Sequence, residues 1–302
     1  MSLGTLIVIT GPTGVGKTEI AIRIAETLGA EIISADSRQI YREIPIGTAA
    51  PTPAELARVK HHFVGIKSVN DYYSASQFEE DVLAMLSDQF SRNGVAVMCG
   101  GSMMYVDAVC RGIDDIPTIS DEVRAEVLRM YADEGLDGML DRLKTLDAAY
   151  YEIVDRKNAK RVIHAVEICL QSGATYTSLR TGAVKQRPFR IVKVGLNMAR
   201  ENLFDRINRR VIKMLDEGLE QEARSVYHLR HLNALNTVGY KEMFAYFDGL
   251  MDYDTAVSRI QKNTRVYAKK QLTWYAKDAA MHWFHPDDAY EGILDLVKSA
   301  DK

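Results

Sequence analysis

The chain has 302 residues, of which 47% are apolar and 26% are charged, and its formal net charge is −3. This composition is typical of a globular protein with a sizeable core, in one large or two modest domains. No apolar run approaches the roughly 18 residues of a membrane helix, and no signal peptide precedes the first predicted strand, so we expect no membrane segment and a cytoplasmic location. The net charge excludes a uniformly basic nucleic-acid-binding protein, and any such partner must be held by local basic patches.

Cysteine and histidine patterns argue against disulfides and zinc. Cys99, Cys110 and Cys169 lie in apolar surroundings without a C-x-x-C pair, which is typical of reduced, packed thiols in a cytosolic protein. The H-x-x-H pairs at 228–231 and 282–285 lack an acidic or cysteine partner. This spacing is common by chance, so we expect no zinc site.

A complete G-x-x-x-x-G-K-T phosphate loop lies at 11–18, between an apolar run of strand length and a predicted helix at 17–28. In this context backbone N–H groups and the helix N-terminus bind a polyphosphate. The lysine adds a point charge, and the threonine can ligate Mg²⁺. The residues predicted to bind phosphate are Gly11, Thr13, Gly14, Val15, Gly16, Lys17 and Thr18, with Thr18 as the metal ligand.

Strands and helices alternate over roughly the first 115 residues, which predicts a parallel sheet covered on both faces. The predicted strands are 5–10, 30–35 and 95–99, and the further predicted helices are 53–60 and 76–92.

Two of these strands end in polar segments, at the edge where α/β sheets place their ligands. The first is Asp36-Ser37-Arg38-Gln39. Three interpretations of Asp36 stay open: a Mg²⁺ ligand, a helix cap and a general base facing a nucleophile. Gln39 matches the edge of an adenine geometrically. The second segment is Gly100-Gly101-Ser102, which is either a plain turn or a close approach of backbone to a ligand.

From about 119 to 186 the pattern changes to helices alone. Ser120 followed by two acids is a good helix start, and a helix at 155–171 ends before Gly173. We therefore predict an all-helical insertion at 119–186, with a core formed by 1–118 and 187–302. A strand at 190–196 rejoins the sheet, and the remaining predicted helices are 201–216, 219–230, 239–247 and 254–278.

Two helical segments near the C-terminus concentrate positive charge. Arg206, Arg209 and Arg210 lie within one and a half helical turns, and we expect one of them to reach the phosphate site. Between 259 and 277 there are six cations and no acid, interleaved with aromatic residues. This second run is either a solvated helix face or a surface for nucleic-acid phosphates.

These segments together resemble the tRNA dimethylallyltransferases, also called tRNA isopentenylpyrophosphate transferases. DSRQIYR at 36–42 and AKKQLTW at 268–274 are the most specific, because many NTPases share the phosphate loop. Ser102 departs from the threonine usual in the family, and His164 stands where the family often has arginine. The full set of matching segments is GPTGVGKT at 11–18, ADSRQIYREIPIGTAAP at 35–51, HHF at 61–63, GGSMMYVDA at 100–108, NAKRVIHAVEI at 158–168, RVIKMLDEGLEQEA at 210–223, TVGYKEM at 237–243 and TRVYAKKQLTW at 264–274.

The resemblance implies a P-loop NTPase-like α/β core that transfers a dimethylallyl group from dimethylallyl diphosphate to N6 of tRNA adenosine 37, releasing pyrophosphate. It implies Mg²⁺ as cofactor and the anticodon stem-loop as partner. The implied catalytic residues are Asp36, Lys17, Ser102 and Arg210. The implied tRNA-binding residues are Asp36, Ser37, Arg38, Gln39, Ser102, Arg124, Lys160, Arg161, His164, Lys269 and Lys270.

Three alternatives remain from the sequence. A P-loop kinase acting on a small molecule would leave the basic helix without a role. An adenylate isopentenyltransferase acting on free nucleotides would not need the long helical insertion. A nucleotide switch that binds RNA would need an NKxD guanine reader to use GTP, and the chain has none; an ATP-driven switch stays open. The absence of a heptad seam favours a monomer.

Overall fold

The structure is a computed structural model, and it describes residues 4–299. Within this range six strands pair in parallel in the order β3-β2-β4-β1-β5-β6. The strands are β1 Thr5–Thr10, β2 Ile32–Ser34, β3 His61–His62, β4 Val95–Cys99, β5 Arg190–Leu196 and β6 Met281–Phe284. The predicted parallel sheet is therefore confirmed.

Helices cover both faces of this sheet. Leu6 and Val8 of β1 belong to one apolar cluster, whereas Ile7 and Ile9 belong to the other, because successive strand residues point to opposite faces. The helices of the sheet unit are α1 Lys17–Leu28, α2 Pro53–Arg58, α3 Ala75–Asn93, α4 Met103–Arg111, α9 Arg200–Asp216, α10 Leu219–Val226, α11 Tyr240–Phe247, α12 Tyr253–Tyr275 and α13 Pro286–Ser299.

Two strands and two α-helices of the sheet unit have no counterpart among the predicted elements. The strand β3 has two residues, and β6 is an edge strand in which only Met281 is buried, so neither carries a clear hydrophobic period. The helix α4 has only nine residues and is largely apolar, and such a short apolar run does not distinguish a helix from a buried strand. The helix α13 also lacks a predicted counterpart, although Pro286 and two acids mark a good helix start.

The described residues form two compact units. One comprises the residues up to Arg111 and from Gln186 onward, and the other is Gly112–Lys185. The second unit contains α5 Asp121–Leu146, α6 Ala148–Ile153, α7 Ala159–Ser172 and α8 Tyr176–Leu179. The predicted helix start at Ser120 and stop at Gly173 are observed as caps.

Asp147 organises the second unit around its own small apolar core. It is 2% exposed, and it accepts hydrogen bonds from the Tyr150 amide and from the amide and hydroxyl of Thr177. One carboxylate thus caps α6 and fixes α8. The core beneath it contains Val127, Met139, Leu143, Val162 and Val166.

A buried ion pair fixes the point where the chain returns to the sheet. Arg187 donates to Glu79 at 2.6 Å, and these side chains are 8% and 6% exposed. Arg187 also donates to the carbonyls of Ala108 at 2.7 Å and Val109 at 2.8 Å. The start of β5 is therefore tied to both α3 and α4.

Candidate active site

The segments that follow β1, β2 and β4 meet at one edge of the sheet, because these strands are neighbours and parallel. Two cavities open there. The loop pocket, of about 200 Å³, lies against the phosphate loop, and the helical pocket, of about 310 Å³, is lined by α9, α11 and α12. The residues that line both pockets are Thr13, Asp36, Thr48 and Arg210.

Lys17 is the first residue of α1 and lines the loop pocket. Its Nζ donates to the carbonyls of Gly11 at 3.0 Å and Pro12 at 2.9 Å. Burial lowers the pKa of Lys17 to about 8, and the charge of Arg210 acts in the same direction. An anion in the loop pocket would oppose both effects, so the site favours a negatively charged ligand.

Two arginines of α9 reach the phosphate loop. Arg210 donates to the Thr13 hydroxyl at 2.5 Å, and Arg206, one turn earlier, donates to the Gly14 carbonyl at 3.0 Å. Arg209 instead pairs with an acid of its own helix at 2.6 Å and is largely exposed. Burial lowers the pKa of Arg210. Neither loop-facing arginine has a carboxylate within ion-pair distance among the described residues, so their charges are available to a ligand.

Asp36 is held by the turn that follows β2. Its Oδ1 accepts from the amides of Arg38 at 2.9 Å and Gln39 at 3.4 Å. Its Oδ2 accepts no hydrogen bond from the residues described. Asp36 thus caps a turn and not the helix that one interpretation expected, and the same carboxylate lines both pockets. Its orientation is fixed, which a general base requires.

Ser102 links the segment after β4 to the segment after β2. Its Oγ accepts from the Ser37 amide at 2.8 Å and donates to the Ser37 hydroxyl at 3.2 Å. The Ser102 amide donates to the Ala35 carbonyl at 3.1 Å. Ser37, Arg38 and Ser102 all line the helical pocket.

Gln271 is a site residue that sequence interpretation missed. Its Oε1 accepts from the Thr13 amide at 2.8 Å, and its Nε2 donates to the Gly101 carbonyl at 2.9 Å. The side chain is 2% exposed. It bridges the phosphate loop and the Gly100–Ser102 segment. The available signal was an uncharged polar residue at helical spacing from Ile260, Thr264 and Ala268 on the buried face of α12.

Gln39 lies differently from the expectation that it reads a base edge. Its Nε2 donates to the carbonyls of Thr48 at 3.2 Å and Ala49 at 2.9 Å, and its Oε1 accepts from the Ser34 hydroxyl at 3.1 Å. Both ends of the amide are bound to the chain itself. In this structure Gln39 supports a loop, and it lines the loop pocket but not the helical pocket.

Comparison with known proteins agrees with this geometry. The model of the IPP transferase family matches residues 39–278. The chain belongs to this family.

Relatives of this IPP transferase match it over almost their whole length. It is 59% identical to tRNA dimethylallyltransferase 2 of Porphyromonas gingivalis, over 97% of this chain and 98% of that one. It is 55% identical to tRNA dimethylallyltransferase 1 of Bacteroides fragilis, over 100% of both. The crystal structure of the tRNA isopentenylpyrophosphate transferase of Bacillus halodurans superposes with a TM-score of 0.72 at 33% identity, covering 98% of this chain and 96% of that one.

The cations of α12 differ in their surroundings in this IPP transferase. Lys269 lies with its Nζ 5.6 Å from the centroid of the Phe204 ring. Arg265 donates to the Asn208 side chain at 2.5 Å. Lys270 is exposed and takes part in no ion pair among residues 4–299. Sequence alone could not separate these neighbours, because their difference depends on α9.

The predicted RNA-binding residues of the second unit lie on α5 and α7. Lys160 and Arg161 are exposed at the start of α7. His164 is also exposed, and its Nδ1 lies 3.4 Å from Glu167. Arg124, on α5, is half-buried. These positions form part of a compact unit of their own.

The oxygen atoms at the loop pocket fit a magnesium ion that takes most of its own ligands from a bound phosphate group and from water. Across the described part of the chain, no group of three or more His, Cys, Asp or Glu side chains is arranged to hold a metal. Thr18 and Asp36 both line the loop pocket. Magnesium is usually bound by one or two protein oxygens together with phosphate and water.

None of the described helices is long and apolar enough to span a membrane.

Proposed function

We propose that this chain transfers the dimethylallyl group of dimethylallyl diphosphate to N6 of adenosine 37 in tRNA, with release of pyrophosphate. One observation carries the proposal: Asp36 and Arg210 lie in the wall shared by a cationic loop pocket and a second pocket. Such a wall places a leaving-group site and an acceptor site on either side of one carboxylate. The relatives named tRNA dimethylallyltransferase support this choice of substrates.

The diphosphate occupies the loop pocket. As the bond between C1 and the diphosphate oxygen breaks, its electron pair moves to pyrophosphate, whose charge increases. The loop amides, Lys17, Arg206 and Arg210 are positioned to stabilise that charge. Bound Mg²⁺, held by Thr18 and by diphosphate oxygens, would neutralise further charge on the leaving group.

The adenine enters the helical pocket, and N6 forms the new bond to C1. The amino group becomes positively charged as this bond forms, and Asp36 takes one of its protons through the oxygen that the turn leaves unengaged. Ser102, fixed by Ser37, is placed to orient the reacting groups. Gln271 keeps the phosphate loop and the Ser102 segment at a constant separation.

The base must leave the anticodon stack to reach this pocket, so the enzyme needs a grip on the anticodon stem-loop. We propose that the insertion, 119–186, provides part of that grip through Arg124, Lys160, Arg161 and His164. The exposed cations of α12 supply the rest. We further propose that one chain is the active unit, because it lines both pockets by itself, and that it acts in the cytoplasm, where tRNA is found.

One assay tests the proposal against its alternatives. The protein is mixed with Mg²⁺, tRNA and either labelled dimethylallyl diphosphate or γ-labelled ATP. We expect label to pass from dimethylallyl diphosphate to tRNA, and not to free AMP, ADP or ATP. A tRNA with guanosine at position 37 is the matched control. Transfer of the γ-phosphate, or prenylation of free nucleotides only, would refute the proposal.

A further inference from the structure

A short loop between Asp36 and α2 forms part of both pockets. We call residues 45–50 the wall loop. Its Thr48 lines the loop pocket and the helical pocket. Ile46 and Ala49 also line a third cavity, of about 420 Å³, which reaches Thr18 and Arg210. The wall loop therefore sets the boundary of the site on several sides.

Glu222 of α10 holds the first half of the wall loop. Its two carboxylate oxygens accept from the amides of Ile46 and Gly47, each at 2.8 Å. The hydroxyl of Tyr240 donates to the same carboxylate and lies 3.3 Å from the Ile44 carbonyl. Hydrogen bonds to an ionised acceptor are stronger than neutral ones. Two adjacent amides are thus fixed by one charged group.

Gln39 holds the second half through the carbonyls of Thr48 and Ala49. Ala49 has a φ of 51°, which is costly for a residue with a Cβ and persists only where the surroundings determine it. The wall loop is strained, and side chains on either side of it supply the necessary contacts.

Close packing leaves this loop little freedom. Tyr240 is completely buried, and a Cβ built at Gly47 would lie 2.4 Å from its hydroxyl oxygen. Only glycine admits the tyrosine at this distance. Glu222 itself lines neither the loop pocket nor the helical pocket, so its carboxylate is not placed to exchange a proton with a substrate.

We infer that Glu222 and Gln39 are positioning residues. They hold the wall loop in place, so that C1 of the prenyl donor and N6 of the acceptor base lie at reacting distance. This inference rests on the proposed function. Reacting atoms must approach within about 3–3.5 Å, and a misplacement of about 1 Å can cost on the order of 100-fold in rate. Loosening the wall loop should therefore slow the transfer step and leave substrate affinity nearly unchanged.

The test compares Glu222→Gln with Glu220→Gln. Glu220 lies on the same helix, pairs with Arg224 at 2.7 Å and lines neither pocket. The amide in Glu222→Gln keeps one acceptor but turns an NH₂ group towards the second backbone N–H. With both substrates saturating, we expect its single-turnover rate to fall about 10- to 100-fold. The Kd for tRNA should stay within about twofold of the control.

Two more variants keep the inference testable if Glu222→Gln folds poorly. Tyr240→Phe and Gln39→Met should each slow the same step, and combining Gln39→Met with Glu222→Gln should cost less than the product of the separate effects, because both act on one loop. A readout independent of activity is hydrogen–deuterium exchange, which should speed up at the Ile46 and Gly47 amides in Glu222→Gln and not in Glu220→Gln.

The outcomes separate the two levels of the proposal. If the unaltered enzyme transfers no prenyl group to tRNA, the proposed function fails, and the exchange measurement still decides whether Glu222 holds the wall loop in place. If it does transfer, the inference is overturned by a Glu222→Gln rate equal to that of Glu220→Gln. Unchanged exchange, or weaker tRNA binding at an unchanged single-turnover rate, would overturn it equally.

Discussion

Replacing Asp36 by Asn and by Ala should separate its two roles. Oδ1 caps the turn by accepting two backbone amides, at 2.9 and 3.4 Å, and the proposed mechanism uses the other oxygen as a base. Asn keeps a neutral acceptor for the cap but cannot take a proton at neutral pH. Ala removes both functions. Loss of a side-chain hydrogen bond typically costs about 0.5–1.5 kcal/mol, whereas loss of a general base costs about 10²–10⁴ in rate.

The two effects therefore appear in different measurements. At about 1.36 kcal/mol for each factor of ten, the loss of rate corresponds to about 2.7–5.4 kcal/mol in the barrier. Asp36→Asn should show this loss in single-turnover prenyl transfer with stability and tRNA affinity nearly unchanged. Asp36→Ala should add a loss of stability, measured by urea denaturation. Transfer by Asp36→Asn within threefold of the unaltered rate would refute the general-base role.

Three further predictions concern charge. Burial lowers the pKa of Lys17 to about 8, and the positive charge of Arg210 acts in the same direction. Between about pH 8 and 10 the folded chain therefore binds fewer protons than the unfolded chain. Over this range Lys17 makes the free energy of unfolding rise with pH. Affinity for inorganic pyrophosphate should fall over the same range as the ammonium is lost, and calorimetry on Lys17→Met should show a weaker pH dependence; an identical profile would refute the assignment. Lys270→Ala should weaken binding to every tRNA and lower the slope of log K against log salt by about one unit, whereas Lys269→Ala, packed on an aromatic ring, should change it less; filter-binding titrations giving equal slopes for both variants and the unaltered chain would exclude α12 from the RNA surface. Arg187→Ala breaks a buried ion pair and should cost about 3–5 kcal/mol in urea denaturation, and a cost below about 1 kcal/mol would contradict the pairing.

The parts of the site that follow a strand were predictable from sequence. The phosphate loop, Asp36 and Ser102 each come directly after an apolar strand, and in a parallel sheet the ends of neighbouring strands lie together. The predicted helix that begins at Lys17 also placed the phosphate loop at the N-terminus of a helix. Local pattern also located the helix ends at Ser120 and Gly173.

The remaining parts depend on contacts between distant segments. Gln271 binds an amide 258 positions away, and Glu222 binds amides 176 and 175 positions away; neither has a local signature beyond being polar on a helix. Gln39 shows a different limit. Its position was inferred from the end of a strand, but the direction of its side chain follows from the wall loop, which the strand pattern does not describe.

The bonds of Arg187 have a consequence for how the enzyme tolerates changes in length. Arg187 follows the helical unit in the chain, and it donates to the carbonyls of Ala108 and Val109, which precede that unit. The chain segments that enter and leave the helical unit are therefore held together within the sheet unit. For a flexible segment the entropic cost of such closure grows only with the logarithm of its length, by about 0.6 kcal/mol for each doubling. We therefore expect changes in the length of this unit to cost the sheet unit little stability beyond the closure term.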